Sequence, residues 1–144
     1  MRTAAAGELR VVLDTNVYIS AFTHPAGPPF RIWQAAVRRR FRLFTSPVIV
    51  REMARVLRED FHWYEDAIVR QLKLLVGTAE IVAPMTSLQV ILDDPDDDHV
   101  LECALEAAAD LIVSGDQHLR RLKSFRGIGI VTPVNFLRTL GETK

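Results

Sequence analysis

Asp93-Asp94-Pro95-Asp96-Asp97-Asp98 carries five carboxylates in six residues, and Asp116 follows in the run Ala-Asp-Leu-Ile-Val-Ser-Gly-Asp. Like charges this close repel one another unless a cation sits among them. Two further acids stand apart: Asp14, directly after the apolar stretch Val-Val-Leu, and Glu52, within an arginine-rich region. An oxygen-only ligand set suits hard divalent cations, and Mg²⁺ or Mn²⁺ in particular pair with phosphate substrates. Ions held this way can activate water and stabilise the leaving oxygen of a phosphodiester. Whether one ion or two would bind is open at this point.

The elements that must position these acids alternate in type. Apolar runs at Leu9–Leu13, Phe41–Thr45, Glu80–Val82, Leu111–Val113 and Ile128–Val131 read as strands. Between them, helical spacing marks Val17–Phe22, Phe30–Arg40, a helix opened by Ser46-Pro47, Glu65–Val76 stopping at Gly77, and Val100–Ala109. A short helix around Leu119 and Leu122 and a last one over Pro133–Leu140 complete the order. His24 to Pro29 reads as a loop, and Ser46 as a capping residue with proline at the first helical position. Strands that are apolar throughout, separated by helices, predict a parallel sheet covered on both faces. The 144 residues suffice for one domain, expected over residues 9–141, with residues 1–8 disordered. The single cysteine, Cys103, excludes an intramolecular disulfide and a Cys-rich zinc site. With neither a membrane-length apolar run nor a signal-type start, a cytoplasmic protein is expected.

In an open parallel sheet, ligands bind beyond the carboxyl ends of the strands, where strand order reverses. Asp14 and Asp116 each follow a strand. Asp98 opens the helix leading into the Asp116 strand, and Glu52 lies on the flank of its helix. If the first and fourth strands are neighbours, the four acids face one crevice. Each has an ordinary alternative: Asp14, Asp98 and Asp116 as helix caps, Glu52 as a solvated surface residue. Net charge is zero, yet the charges segregate. Eight arginines and one acid lie between Arg31 and Arg58, and fourteen acids and two bases between Glu59 and Asp116. An acidic centre beside basic segments fits an enzyme acting on polyanions.

Taken together, Leu-Asp-Thr-Asn-Val after the first strand, Ser-Pro with a following Glu, Asp-Pro-Asp-Asp-Asp, and Ala-Asp-Leu-Ile-Val-Ser-Gly-Asp resemble a PIN domain. The resemblance spans essentially the whole folded part and is closest to the VapC-like toxins of bacterial and archaeal toxin–antitoxin pairs. It implies an α/β/α sandwich around a mainly parallel five-stranded sheet. It also implies a Mg²⁺- or Mn²⁺-dependent endoribonuclease that hydrolyses single-stranded RNA. Its catalytic and metal-binding acids fall on Asp14, Glu52, Asp98 and Asp116. Asp97 is auxiliary, Asp96 is near enough to contribute, and Asn16 and Ser114 are supporting; Ser114 stands where the family usually has Thr. A cognate antitoxin and a homodimer are the implied partners, with no membrane.

A phosphatase of the haloacid dehalogenase type would need an Asp at position 16, which is Asn16. A receiver domain would need an acidic pair after the first strand. The remaining alternative is a non-catalytic module of the same fold that binds RNA or a partner. Arg38, Arg39, Arg40 and Arg42 are candidates for RNA phosphate contacts. Phe30, Trp33, Phe61, Trp63 and Tyr64 are divided between core and a dimer face. His118 is expected as an exposed first-turn residue, and His99 has no assigned role.

Overall fold

A computed structural model describes residues 8–85, 87, 88 and 95–141, with the side chains of Pro95 and Asp96 left aside. The disorder expected for residues 1–8 therefore lies outside the described residues except at Glu8, as does the reading of Asp93 and Asp94 as a turn. The elements run β1 (Arg10–Leu13), α1 (Thr15–Thr23), α2 (Pro28–Val37), β2 (Arg42–Thr45), α3 (Pro47–Glu59), α4 (Glu65–Thr78) and β3 (Glu80–Ile81). They continue with α5 (Pro95–Glu106), β4 (Leu111–Val113), α6 (Gln117–Leu122), β5 (Ser124–Phe125), β6 (Ile128–Val131) and α7 (Pro133–Leu140). Among the described residues no helix is long and apolar enough to cross a membrane.

The strands form one sheet in the order β3-β2-β1-β4-β6-β5, flanked by helices. All neighbours are parallel except β5, which pairs antiparallel with β6. The sheet thus has six strands rather than five. The extra one is a two-residue hairpin edge whose apolar content, a single Phe125, gave no strand signal. Val11, Val12, Leu13, Leu43, Phe44, Ile112 and Val113 are fully buried, as strands covered on both faces must be. Strand order reverses between β1 and β4, which lie side by side in the register Val11↔Leu111, Val12↔Ile112 and Leu13↔Val113.

Several boundaries differ from those read in the sequence, each for a local reason. Helix α2 starts at Pro28, because Pro28 and Pro29 occupy first-turn positions where no amide is needed, and it ends at Val37. Helix α4 runs through Gly77 to Thr78, whose hydroxyl donates to Leu74 O at 2.8 Å. Helix α5 begins at Pro95, so Asp97 and Asp98 lie in its first turn instead of ahead of it. Ser46 is the residue before α3 but makes no side-chain cap bond.

The arginine run has a structural task. Arg39, at φ 60, donates to Thr78 O at 2.7 Å and Gly77 O at 2.9 Å, satisfying carbonyls at the end of α4. Arg40 donates to Leu140 O at 3.1 Å, at the end of α7. Arg42 forms a two-pronged pair with Glu80 at 2.8 and 2.6 Å and lies over the Phe44 ring.

Candidate active site

Asp14 follows β1 and caps α1. Its amide donates to Val113 O at 3.0 Å, and Ser114 N donates to Val131 O at 2.9 Å, so the β1–β4–β6 ladder continues past the strand ends into the acidic residues. The Ser114 hydroxyl, fully buried, donates to Asp14 Oδ2 at 2.7 Å and accepts from the Asp116 amide at 2.9 Å. Asp116 caps α6, its Oδ1 accepting from His118 N at 2.7 Å and Leu119 N at 3.4 Å. One hydroxyl thereby ties the Asp14 carboxylate to the Asp116 backbone across the reversal point of the sheet. Asp14 is 3% exposed, so its carboxylate is withdrawn from water and depends on such donors. Asn16 and Asp116 line a common cavity of about 240 Å³ with Ser20, Pro29, Gly115 and Pro133.

Helix α5 packs against β1, β2, β4 and α3 and carries Asp97 and Asp98, both buried in its first turn. Glu52, on α3, stands 3.9 Å from Arg55 and lines a cavity of about 210 Å³ with Val48, Arg51, Arg55 and His99. Since His99 follows Asp98, this cavity joins the glutamate helix to the first turn of α5. The structure thus links Asp14, Ser114 and Asp116 directly and sets Asn16 beside Asp116. Glu52 meets α5 at His99. Among the described residues, no three of His, Cys, Asp and Glu are grouped closely enough to hold one ion together.

Arg38, Arg39, Arg40 and Arg42 lie elsewhere. Arg42 pairs in register with Arg10 at the start of β1, whereas Asp14 follows its end, about 13 Å away along the strand. Arg39, Arg40 and Arg42 are also committed to the bonds described above. Arg51 and Arg55, one helical turn apart, stand beside Glu52, and the sequence reading passed over both. Their signal was the spacing Arg51-Glu52…Arg55. His99, given no role from the sequence, shares a cavity with Glu52. His118 lies in the first turn of α6 but is half-buried rather than exposed. Of the aromatic residues, Trp33 is buried, Phe30 and Trp63 pack on the core, and Phe61 and Tyr64 are exposed.

Tyr18, Thr45 and Ser46 are buried polar residues. The Tyr18 hydroxyl faces Thr45, and burial raises its pKa. The Ser46 hydroxyl faces the Cys103 thiol, a weak acceptor, and among the described residues it finds no full hydrogen-bond partner. Burial pushes the thiol from 9.0 up to about 12.

Known proteins resemble this chain in sequence and in fold. The family profile described as PIN domain matches residues 10–118. An uncharacterized protein of Methanocaldococcus jannaschii is 32% identical over 120 residues, covering 81% of this chain and 76% of its own. The fold is similar to that of VapBC2 from Rickettsia felis, solved bound to a DNA fragment from their promoter. That match has TM-score 0.63 and 11% identity, covering 86% of this chain and 98% of the other. A Pyrobaculum aerophilum protein matches with TM-score 0.61 and 14% identity, covering 95% and 92% of the two chains. With the PIN domain profile matched over residues 10–118, most of its length, the chain belongs to the PIN domain family.

Proposed function

We propose that this protein is a Mg²⁺- or Mn²⁺-dependent endoribonuclease that cleaves single-stranded RNA and serves as the toxin of a toxin–antitoxin pair. The observation that carries the reading is the Asp14–Ser114–Asp116 chain across the β1–β4 junction. Family membership supports nuclease chemistry, since PIN domains are generally nucleases that use divalent ions. The likeness to VapBC2 supports an antitoxin partner.

Asp14 and Asp116 would hold the ion, with Glu52, Asp98 and the auxiliary Asp97 contributing from α3 and α5. A bound ion would polarise a phosphate oxygen and make water nucleophilic at neutral pH. The protein's own groups do the positioning. Ser114 donates to Asp14 Oδ2 and so fixes the rotation of that carboxylate. The α6 amides hold Asp116 through Oδ1 alone. Asn16 borders the same cavity and can donate to a phosphate or sugar oxygen. For phosphates outside the acidic centre, Arg51 and Arg55 are better placed than Arg38, Arg39, Arg40 or Arg42.

Labelled single-stranded RNA should be cleaved with Mn²⁺ and spared with EDTA. Asp14→Asn and Asp98→Asn should each cost more than about 100-fold, the upper end for mere outer-shell partners. If the folded wild-type protein cleaves no RNA with Mn²⁺ present, the endoribonuclease reading is wrong. The second reading, a non-catalytic module that binds RNA or a partner, draws on the lack of a three-ligand group among the described residues. RNA bound but never cleaved would favour it. We also place the protein in the cytoplasm and propose a homodimer using the exposed Phe61 and Tyr64, to be checked by light scattering.

A further inference from the structure

The two cavities beside α3 share Val48, Arg51 and His99, and so form one groove. The larger part, about 300 Å³, is lined by Ser46, Pro47, Val48, Arg51, Ala83, Pro84, His99 and Glu102. The smaller part leads to Glu52 and Arg55. Resting on the reading of this chain as an RNA-cleaving PIN domain, we propose that this groove is a nucleotide subsite, holding the base of a residue next to the scissile phosphate and selecting bases that carry an amino group over uracil.

Four features support the assignment. The volume sits at the lower end of ligand pockets, roughly 300–1,000 Å³, which suits one nucleotide. Pro47, Val48, Ala83 and Pro84 offer apolar walls for a base, as single-stranded RNA readers require. Arg51 has no carboxylate partner among the described residues and lies where the two parts meet, one turn from Arg55. A phosphate there would stand beside Glu52. At the far end, Ser46 is wholly buried, borders the groove and lacks a full hydrogen-bond partner.

Glu102 sets the preference. Its Oε2 accepts from the Leu88 amide at 2.8 Å, which anchors the carboxylate in the wall. A carboxylate only accepts hydrogen bonds, so it pairs with the amino groups of cytosine, adenine and guanine, whereas uracil offers only its N3–H, set between two carbonyl oxygens that repel the carboxylate.

The test is an amide ¹H–¹⁵N titration of the protein with GMP, CMP and UMP, alongside Mn²⁺-dependent cleavage of single-stranded RNA. GMP and CMP should shift the amides of Ser46, Val48, Arg51, His99 and Glu102, with UMP about tenfold weaker. Glu102→Gln keeps an acceptor for Leu88 but gains a donor, and should bring the three nucleotides to within about threefold of one another. Arg51→Ala should weaken all three alike, since a phosphate contact carries no base information. Cleavage by wild type with no nucleotide-induced shift in these amides would overturn the subsite and leave the proposed function standing. Equal response to UMP would overturn the base preference and so the proposal. Shifts at these residues without cleavage of any RNA would uphold the nucleotide site while removing the endoribonuclease reading.

Discussion

Ser114 has one hydrogen to donate, and it goes to Asp14. Removing that hydroxyl would leave a buried carboxylate oxygen short of a donor and the Asp116 amide short of an acceptor. Ser114→Ala should therefore lower RNA cleavage by about 10–100-fold and lower stability by about 1–3 kcal/mol, measured by cleavage rates and urea melts. Ser114→Thr keeps the hydroxyl and should restore most of the activity, provided its methyl group fits a fully buried position. Equal cleavage by the Ala and wild-type proteins would show that the link serves the fold alone. At this scale much was legible in the sequence. Asp14 and Asp116 each follow a strand, and strands and caps are local patterns. The Ser114 bonds could not be read, because Asp14 and Ser114 are a hundred residues apart in the chain.

At the scale of elements, the arginines show that composition alone does not give a side chain's partner. Arg38, Arg39, Arg40 and Arg42, in a segment of eight arginines between Arg31 and Arg58, were candidates for RNA phosphate contacts. Arg39 and Arg40 close the carboxyl ends of α4 and α7, and Arg42 pairs with Glu80. These partners lie far away in sequence, so no local pattern announces them. Arg39→Ala should destabilise the fold by about 1–2 kcal/mol, the scale of a lost helix cap, and leave cleavage and its salt dependence unchanged. A flattened salt dependence would return Arg39 to the RNA surface. Arg42 holds the Glu80 carboxyl below its usual range. The stabilising effect is present above the unfolded carboxyl value and is lost as pH falls through the lower folded one. Both side chains are largely exposed, so the effect is small. Comparing acid melts of wild type and Glu80→Gln would measure it. The alternation of elements was legible because apolar runs and helical spacing are strong signals. The β5 edge and the start of α5 at Pro95 were not, since two residues or an acidic turn carry too little periodicity.

For the molecule as a whole, the buried thiol reports on global opening. Cys103 is wholly buried and its pKa is raised to about 12. In the unfolded chain it ionises near 9.0, so from there to about 12 the unfolded state binds fewer protons than the native one. Stability should fall as pH rises through that window, by up to about 1.4 kcal/mol per pH unit, and should not respond to this group below it. Burial of Tyr18 acts in the same direction at higher pH. Cys103→Ala should flatten the alkaline slope in thermal melts, and iodoacetamide should modify Cys103 only as fast as the protein unfolds. Rapid labelling of native protein would contradict that burial. The continued β1–β4–β6 ladder has a consequence for hydrogen exchange. Functional loops usually belong to the least protected parts of a protein. Here the amides of Asp14 and Ser114 are bonded into the central strands, and both residues are buried. They should exchange with solvent as slowly as those of Val12 and Ile112, so that this end of the site opens only when the sheet itself does.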